Sequence, residues 1–193
     1  SHAIVGAPIA FGYKSQAFSG GGQIFTGTTS LEGQTLTLLA RDVARELLRH
    51  GARRIIFLSG HGENQFFLFE AADLALAGRD DARIMVTGWW QHVPAPLLDE
   101  LFGGGFPGWD LEHAATVETA LMLALAPASV RRERIIDEPA PHVPGYSIFP
   151  QPPGIVPASG LLSRATPATE AMGARLVETI VEALSRVVHH EFG

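Results

Sequence analysis

Residues 53–90 run RRIIFLSG, HGENQFFLFEAADLALAG, RDDA and RIMVTGWW, and this stretch decides the fold. The first and last segments (53–60 and 83–90) are short, nearly continuous apolar runs. That is how parallel strands covered on both faces read. Between them, 64–78 carries a helical pattern, with Asn64 as the expected N-cap. Strand, helix, strand is a right-handed βαβ unit, and it predicts a parallel sheet flanked by helices.

The pattern extends in both directions. AIVGAPIAFG (3–12) reads as a further buried strand, punctuated by Gly6, Pro8 and Gly12. The stretch 12–30 is rich in Gly, Ser and Thr, and is long for a plain connector, so a functional loop is expected. From Gly33 to His50 the residues Leu36, Leu39, Ala40, Val43, Leu47 and Leu48 recur at helical spacing, and Gly51 supplies the stop. Downstream, 113–127 is a helix ended by Pro127. Residues 137–160 carry seven prolines and read as an extended surface arm. A closing helix runs from about Pro167 to His190, with Leu176, Val177, Ile180, Val181, Leu184 and Val188 on its apolar face. No repeat or linker interrupts the pattern, so residues 1–193 read as one α/β domain.

Composition narrows the function. The 193 residues are 46% hydrophobic and 18% charged, which suits a packed core and argues against disorder. The net charge of −6, without a basic cluster, argues against nucleic acid and anionic membranes as partners. Cysteine is absent, so disulfides and thiolate chemistry are excluded, and the composition suits the cytoplasm. No apolar run reaches a membrane-spanning length. So few charges are also compatible with surface buried against other subunits.

In open α/β sheets ligands bind beyond the carboxyl ends of the strands, and SGHGEN (59–64) lies at such an edge. Gly60 and Gly62 would let the turn bend sharply and bring His61 and Glu63 to one side. Two readings stand: a backbone-satisfied histidine beside a helix-start glutamate, or half of a site for Zn²⁺ or Mn²⁺. GGGFPGWDLEHAATVET (103–119) places Trp109, Asp110, Glu112 and His113 just before a helix. Together they offer a flat wall for a planar ligand, an acid–base imidazole, and carboxylates to orient it or to meet a cation. Trp89 and Trp90 end a strand and supply a second wall or pack into the core, and Ser19 is a possible hydrogen-bond donor in the Gly-rich loop. GxGxxG, GKS and GxSxG motifs are absent. The residues alone point to a metal-assisted hydrolase of a small planar molecule.

GYKSQAFSGGGQIFTGTTSLEG, RHGARRIIFLSGHGEN, GWDLEHAATVETALMLAL and FPQPPGIVPASGLLS together resemble the creatininase (creatinine amidohydrolase) family over nearly the whole chain. The resemblance implies a binuclear Zn²⁺/Mn²⁺ hydrolase that opens a cyclic amide, with creatinine the first candidate, assembled as a homo-oligomer, a hexamer in the family. It implies His61 and Glu63 as metal ligands. Glu112 and His113 would be catalytic, and Ser19, Gly62, Trp90, Trp109 and Asp110 would face substrate. Gly62 stands where creatinine-opening members carry a tyrosine, which leaves room for a larger cyclic amide. The family's Glu-x-His-Gly pattern and a following aspartate precede the segment matched near Ala3. The expectation is therefore that the other metal ligands lie on an N-terminal fragment of the same precursor, present as a second chain or lost. The alternatives are a metal-free, non-catalytic subunit, or hydrolysis of a linear amide or formamide.

Overall fold

The structure, a computed structural model, describes residues 3–15, 22–142, 145–150 and 154–193. Helices and strands follow in the order α1 (Gly33–Arg49), β1 (Arg54–Ser59), α2 (Asn64–Leu76), β2 (Arg83–Gly88), α3 (Ala95–Phe102), α4 (Thr116–Leu125) and α5 (Glu170–Phe192). Backbone packing divides the chain into two compact units, one of residues 1–14, 27–92 and 183–193 and the other of residues 15–26 and 93–182.

The first unit is the βαβ motif. β1 and β2 pair in parallel, Arg54 opposite Arg83 through Ser59 opposite Gly88, with α2 as the crossover. One core cluster joins Ala44, Leu48, Ile55 and Ala75; another joins Ala40, Leu68 and Ala71 beneath Phe57 and Val86. α1 therefore packs through Leu36, Ala40, Ala44 and Leu48, each 3% exposed or less. Each leucine so buried contributes about 2 kcal/mol. Leu39, Val43 and Leu47, which share the sequence periodicity, lie on the neighbouring face at 39–45% exposure. Gly51, at φ +98°, takes the left-handed conformation that stops the helix.

Two expectations fail in this unit. Residues 3–12 form no strand, and Ile4 and Val5 are 98% and 93% exposed. An apolar run becomes a strand only beside a hydrogen-bonding neighbour. Among the described residues β1 and β2 pair only with each other, and Pro8 lacks a donor in any case. Asn64 is not the N-cap of α2. Glu63 holds that position without a side-chain cap, and Asn64 Oδ1 instead accepts the Tyr13 N–H at 2.8 Å. That bond brings Tyr13 onto the Phe67 ring, 4.3 Å between centroids.

In the second unit α4 and α5 meet where Gly173 abuts the Ala120 carbonyl so closely that a Cβ at Gly173 would lie 1.9 Å from that oxygen. α3, absent from the sequence reading, ends at Gly103 with φ +58°, and its Glu100 pairs with Arg175 of α5. The described residues of the proline-rich stretch are irregular. The stretch is not wholly a surface arm, because Val156 is buried and packs with Leu162 against Phe25. Asp137 holds the following segment by accepting Ala165 N–H at 2.9 Å, Thr166 N–H at 2.8 Å and the Thr166 hydroxyl at 2.8 Å. These bonds, the Thr166 amide first, hold its carboxyl down at about 2.

Candidate functional site

In the first unit, β1 delivers the chain at its carboxyl end into the turn 59–63. The buried Ser59 fastens that turn: its hydroxyl donates to the His61 carbonyl at 2.7 Å and accepts the His61 N–H at 3.2 Å. The His61 carbonyl also accepts the Asn64 N–H at 3.3 Å, which starts α2. Held this way, His61 Nε2 lies 2.7 Å from Glu63 Oε2, with the two side chains 31% and 12% exposed. The sequence expectation that both side chains reach one side holds, but its stated cause does not. Gly60 and Gly62 are not among the glycines with positive φ, and a Cβ on either would meet nothing within 4 Å. Ser59 makes the bend, a residue the sequence reading overlooked. Its signal was a small hydroxyl side chain at a strand end, two residues before the histidine.

β2 ends at Gly88, and residues Trp89–His92 form a 3-10 turn. The two indoles meet edge to face, 5.9 Å between centroids and 89° between planes, and both are half-buried. They follow the strand rather than end it.

In the second unit Gly103, Gly104 and Gly108 take positive φ and lead into a turn in which the Gly108 carbonyl accepts the N–H groups of Leu111 and Glu112, both at 3.1 Å. Trp109 is half-buried and edge-on to Phe106, 5.1 Å between centroids, and Asp110 is exposed. Glu112 lies before α4, not in its first turn, yet it caps that helix. Its Oε1 accepts Val117 N–H at 2.6 Å and Glu118 N–H at 3.3 Å, replacing the missing side-chain cap of Ala115. Glu112 is 6% exposed, and its Oε2 has no hydrogen-bond partner among the described residues. Desolvation outweighs the two amide donors and pushes its carboxyl up to about 7. Ala114, next to His113, has φ +53°, and its N–H donates to Glu118 Oε2 at 2.6 Å. His113 is half-buried, and its carbonyl accepts Leu162 N–H at 3.3 Å. Ser19 lies outside the described residues.

The turn thus pairs His61 with Glu63, while Trp109, Asp110, Glu112 and His113 share a second turn. A cavity of about 630 Å³ lies along β2, walled by Leu76, Ile84, Val86, Val187 and Phe192, and none of the sequence-derived candidates lines it. For a divalent metal, an imidazole and a carboxylate side by side are the right donors. Protein sites need at least three, and no group of three His, Asp or Glu side chains converges among the described residues. The pair fits as part of a ligand set, not as the whole of one.

The family model for creatininase, creatinine amidohydrolase, matches residues 1–188. Creatinine amidohydrolase of Pseudomonas putida is 43% identical over 98% of this chain and 75% of its own length. The mycofactocin precursor peptide peptidase of Mycobacterium tuberculosis is 34% identical over 85% of this chain, which spans 59% of that protein. The crystal structure of a creatinine amidohydrolase superposes with a TM-score of 0.90 at 44% identity, over 94% of this chain and 73% of that one. Other creatininase structures, each with a TM-score of 0.89, include a manganese form, a zinc–zinc variant and a creatine complex. Among the described residues no helix is long and apolar enough to cross a membrane. This chain is a hydrolase-type α/β protein that belongs to the creatininase family.

Proposed function

We propose that the protein hydrolyses the carbon–nitrogen bond of a small cyclic amide, creatinine being the first candidate. The observation that carries this reading is the His61–Glu63 pair, held at 2.7 Å at the carboxyl end of a parallel strand. His61 and Glu63 would hold a divalent ion, Zn²⁺ or Mn²⁺, together with donors beyond the described groups. When bound, such an ion polarises an amide carbonyl and activates water. Trp90 and Trp109 offer flat apolar faces for a planar ring, and Gly62 leaves open space beside the metal donors. His113 carries the proton to the departing ring nitrogen. Glu112, with a carboxyl near 7 and a buried oxygen lacking a partner among the described residues, is suited to exchange a proton at neutral pH or to meet a guanidinium-like group. Asp110 and Ser19 are further polar contacts for the substrate. The functional assembly is a homo-oligomer.

A second reading, hydrolysis of a linear amide, draws on the peptidase relative. Assaying purified protein with creatinine, a lactam and a formamide, each with added Mn²⁺ or Zn²⁺ and each with chelator, separates the two. Chelator-sensitive ring opening supports the first reading; turnover of the formamide alone supports the second.

A further inference from the structure

We infer that Asn64 is a positioning residue that ties the His61–Glu63 turn to the neck of the Gly-rich loop. The inference rests on the proposed role of that turn as a pair of metal donors. Asn64 directly follows Glu63 and opens α2. Its N–H donates to the His61 carbonyl at 3.3 Å, the oxygen that also accepts the Ser59 hydroxyl. Its side-chain Oδ1 accepts the Tyr13 N–H at 2.8 Å. A Cβ on Gly12 would lie 2.7 Å from that oxygen and 3.0 Å from Nδ2, so the carboxamide sits against the bare α-carbon of Gly12. Gly12 is not among the glycines with positive φ, so the side chain and not the backbone demands glycine there.

Gly12, Tyr13 and Lys14 form one side of the neck, and Leu31, Glu32 and Gly33 form the other. The Gly12 carbonyl accepts the Leu31 N–H at 2.8 Å, and Tyr13 bridges Leu31 in parallel. The Lys14 ammonium donates to both Glu32 carboxylate oxygens, at 2.8 and 3.0 Å. Phe67, one turn further along α2, touches both sides. Its ring centroid lies 4.3 Å from that of Tyr13, and a Cβ on Gly33 would lie 2.0 Å from its Cε1. The Gly-rich stretch is thus pinned at its base, and one carboxamide fastens the pin to the donor turn. Filling the His61–Glu63 pair with a divalent ion fixes the turn that carries Asn64 and so steadies the neck. By linkage, a fastened neck favours the ion to the same extent.

Lys14 is the only lysine of the chain, so a lysine-specific endoprotease cuts at the neck alone, once Lys14 leaves Glu32. Its rate follows the opened population when reclosing outpaces cleavage. The test compares native protein with Asn64→Leu, which lacks the acceptor, and Asn64→Asp, which keeps it, each in chelator and in Mn²⁺. In chelator, Asn64→Leu should be cut roughly 3- to 10-fold faster, the range that one net hydrogen bond spans. Hydrogen exchange of the Tyr13 amide should quicken with it, and Asn64→Asp should recover both. Mn²⁺ should slow the cut in native protein and leave Asn64→Leu unaffected. Native rates of cutting and exchange in Asn64→Leu would overturn the inference. So would calorimetrically verified Mn²⁺ binding that slows the cut equally in both proteins or in neither. Gly12→Ala, which pushes the carboxamide off the neck, should match Asn64→Leu and decides the matter if that variant does not fold. Absence of Mn²⁺ binding, with the chelator results as expected, would uphold the clasp and remove the metal from the turn, so the two readings fail separately.

Discussion

Glu112 accepts the Val117 amide at 2.6 Å with one carboxyl oxygen and presents the other to no donor among the described residues. One side chain therefore caps a helix and keeps a buried, unsatisfied oxygen next to a histidine. The first role is structural and is served by either protonation state. The second is costly, because an ionised oxygen loses its water without replacement.

That cost predicts a pH dependence of stability. The carboxyl titrates near 4.5 when exposed and near 7 when folded, so the folded state binds the extra proton between those values. The resulting stabilisation is complete below about pH 4.5 and is lost as pH rises through 7. It amounts to about 3 kcal/mol at 1.36 kcal/mol per pKa unit. Urea unfolding from pH 4.5 to 8 should show this decline in the native protein and a flatter profile in Glu112→Gln. Parallel profiles would contradict it.

Asp137 works in the opposite direction. Its carboxyl falls to about 2 through bonds from Thr166, Ala165 and Arg164, so its contribution is present above pH 4 and lost as pH falls toward 2. Thermal melts of Asp137→Asn should lie below those of the native protein at pH 5 and converge with them near pH 2.

Ala114 stands at φ +53°, where a Cβ is disfavoured. Ala114→Gly should raise the unfolding free energy by up to about 1 kcal/mol, less the extra chain entropy of glycine. Denaturant titration with an unchanged m-value is the check.

Ser59→Ala removes both bonds that orient His61. If His61 is a metal donor, affinity for Mn²⁺ or Zn²⁺ should fall, because the backbone that carries the imidazole loses its tether. Calorimetric titration of the metal measures this directly.

Gly62→Tyr places a ring where a Cβ meets nothing within 4 Å, so the fold should accept it. The ratio of creatinine to bulkier lactam turnover should rise; an unchanged ratio would remove Gly62 from the pocket.

The βαβ core was readable in advance because two short apolar runs of strand length flank a longer segment of helical length in 53–88. Residues 3–12 misled because an apolar run does not say whether a neighbour exists to pair with it. Asn64 misled because its acceptor is taken by Tyr13, 51 positions away, which no local motif encodes. α3 was overlooked because eight residues with Pro96 inside show too little periodicity. In the two candidate turns, His61, Glu63 and Glu112 were all named from sequence, but the Ser59 staple and the capping role of Glu112 depend on geometry. The first joins a side-chain hydroxyl to the backbone two residues on, and the second joins a carboxylate to amides five and six residues on; residue identity alone fixes neither.

The most direct measurement is creatinine ring opening by the purified protein, with matched metal analysis, for the native chain and His61→Ala. The account predicts bound Zn²⁺ or Mn²⁺ with chelator-sensitive turnover in the native protein, and loss of both in the variant. Full metal content and full rate in His61→Ala, or turnover indifferent to chelator, would contradict it.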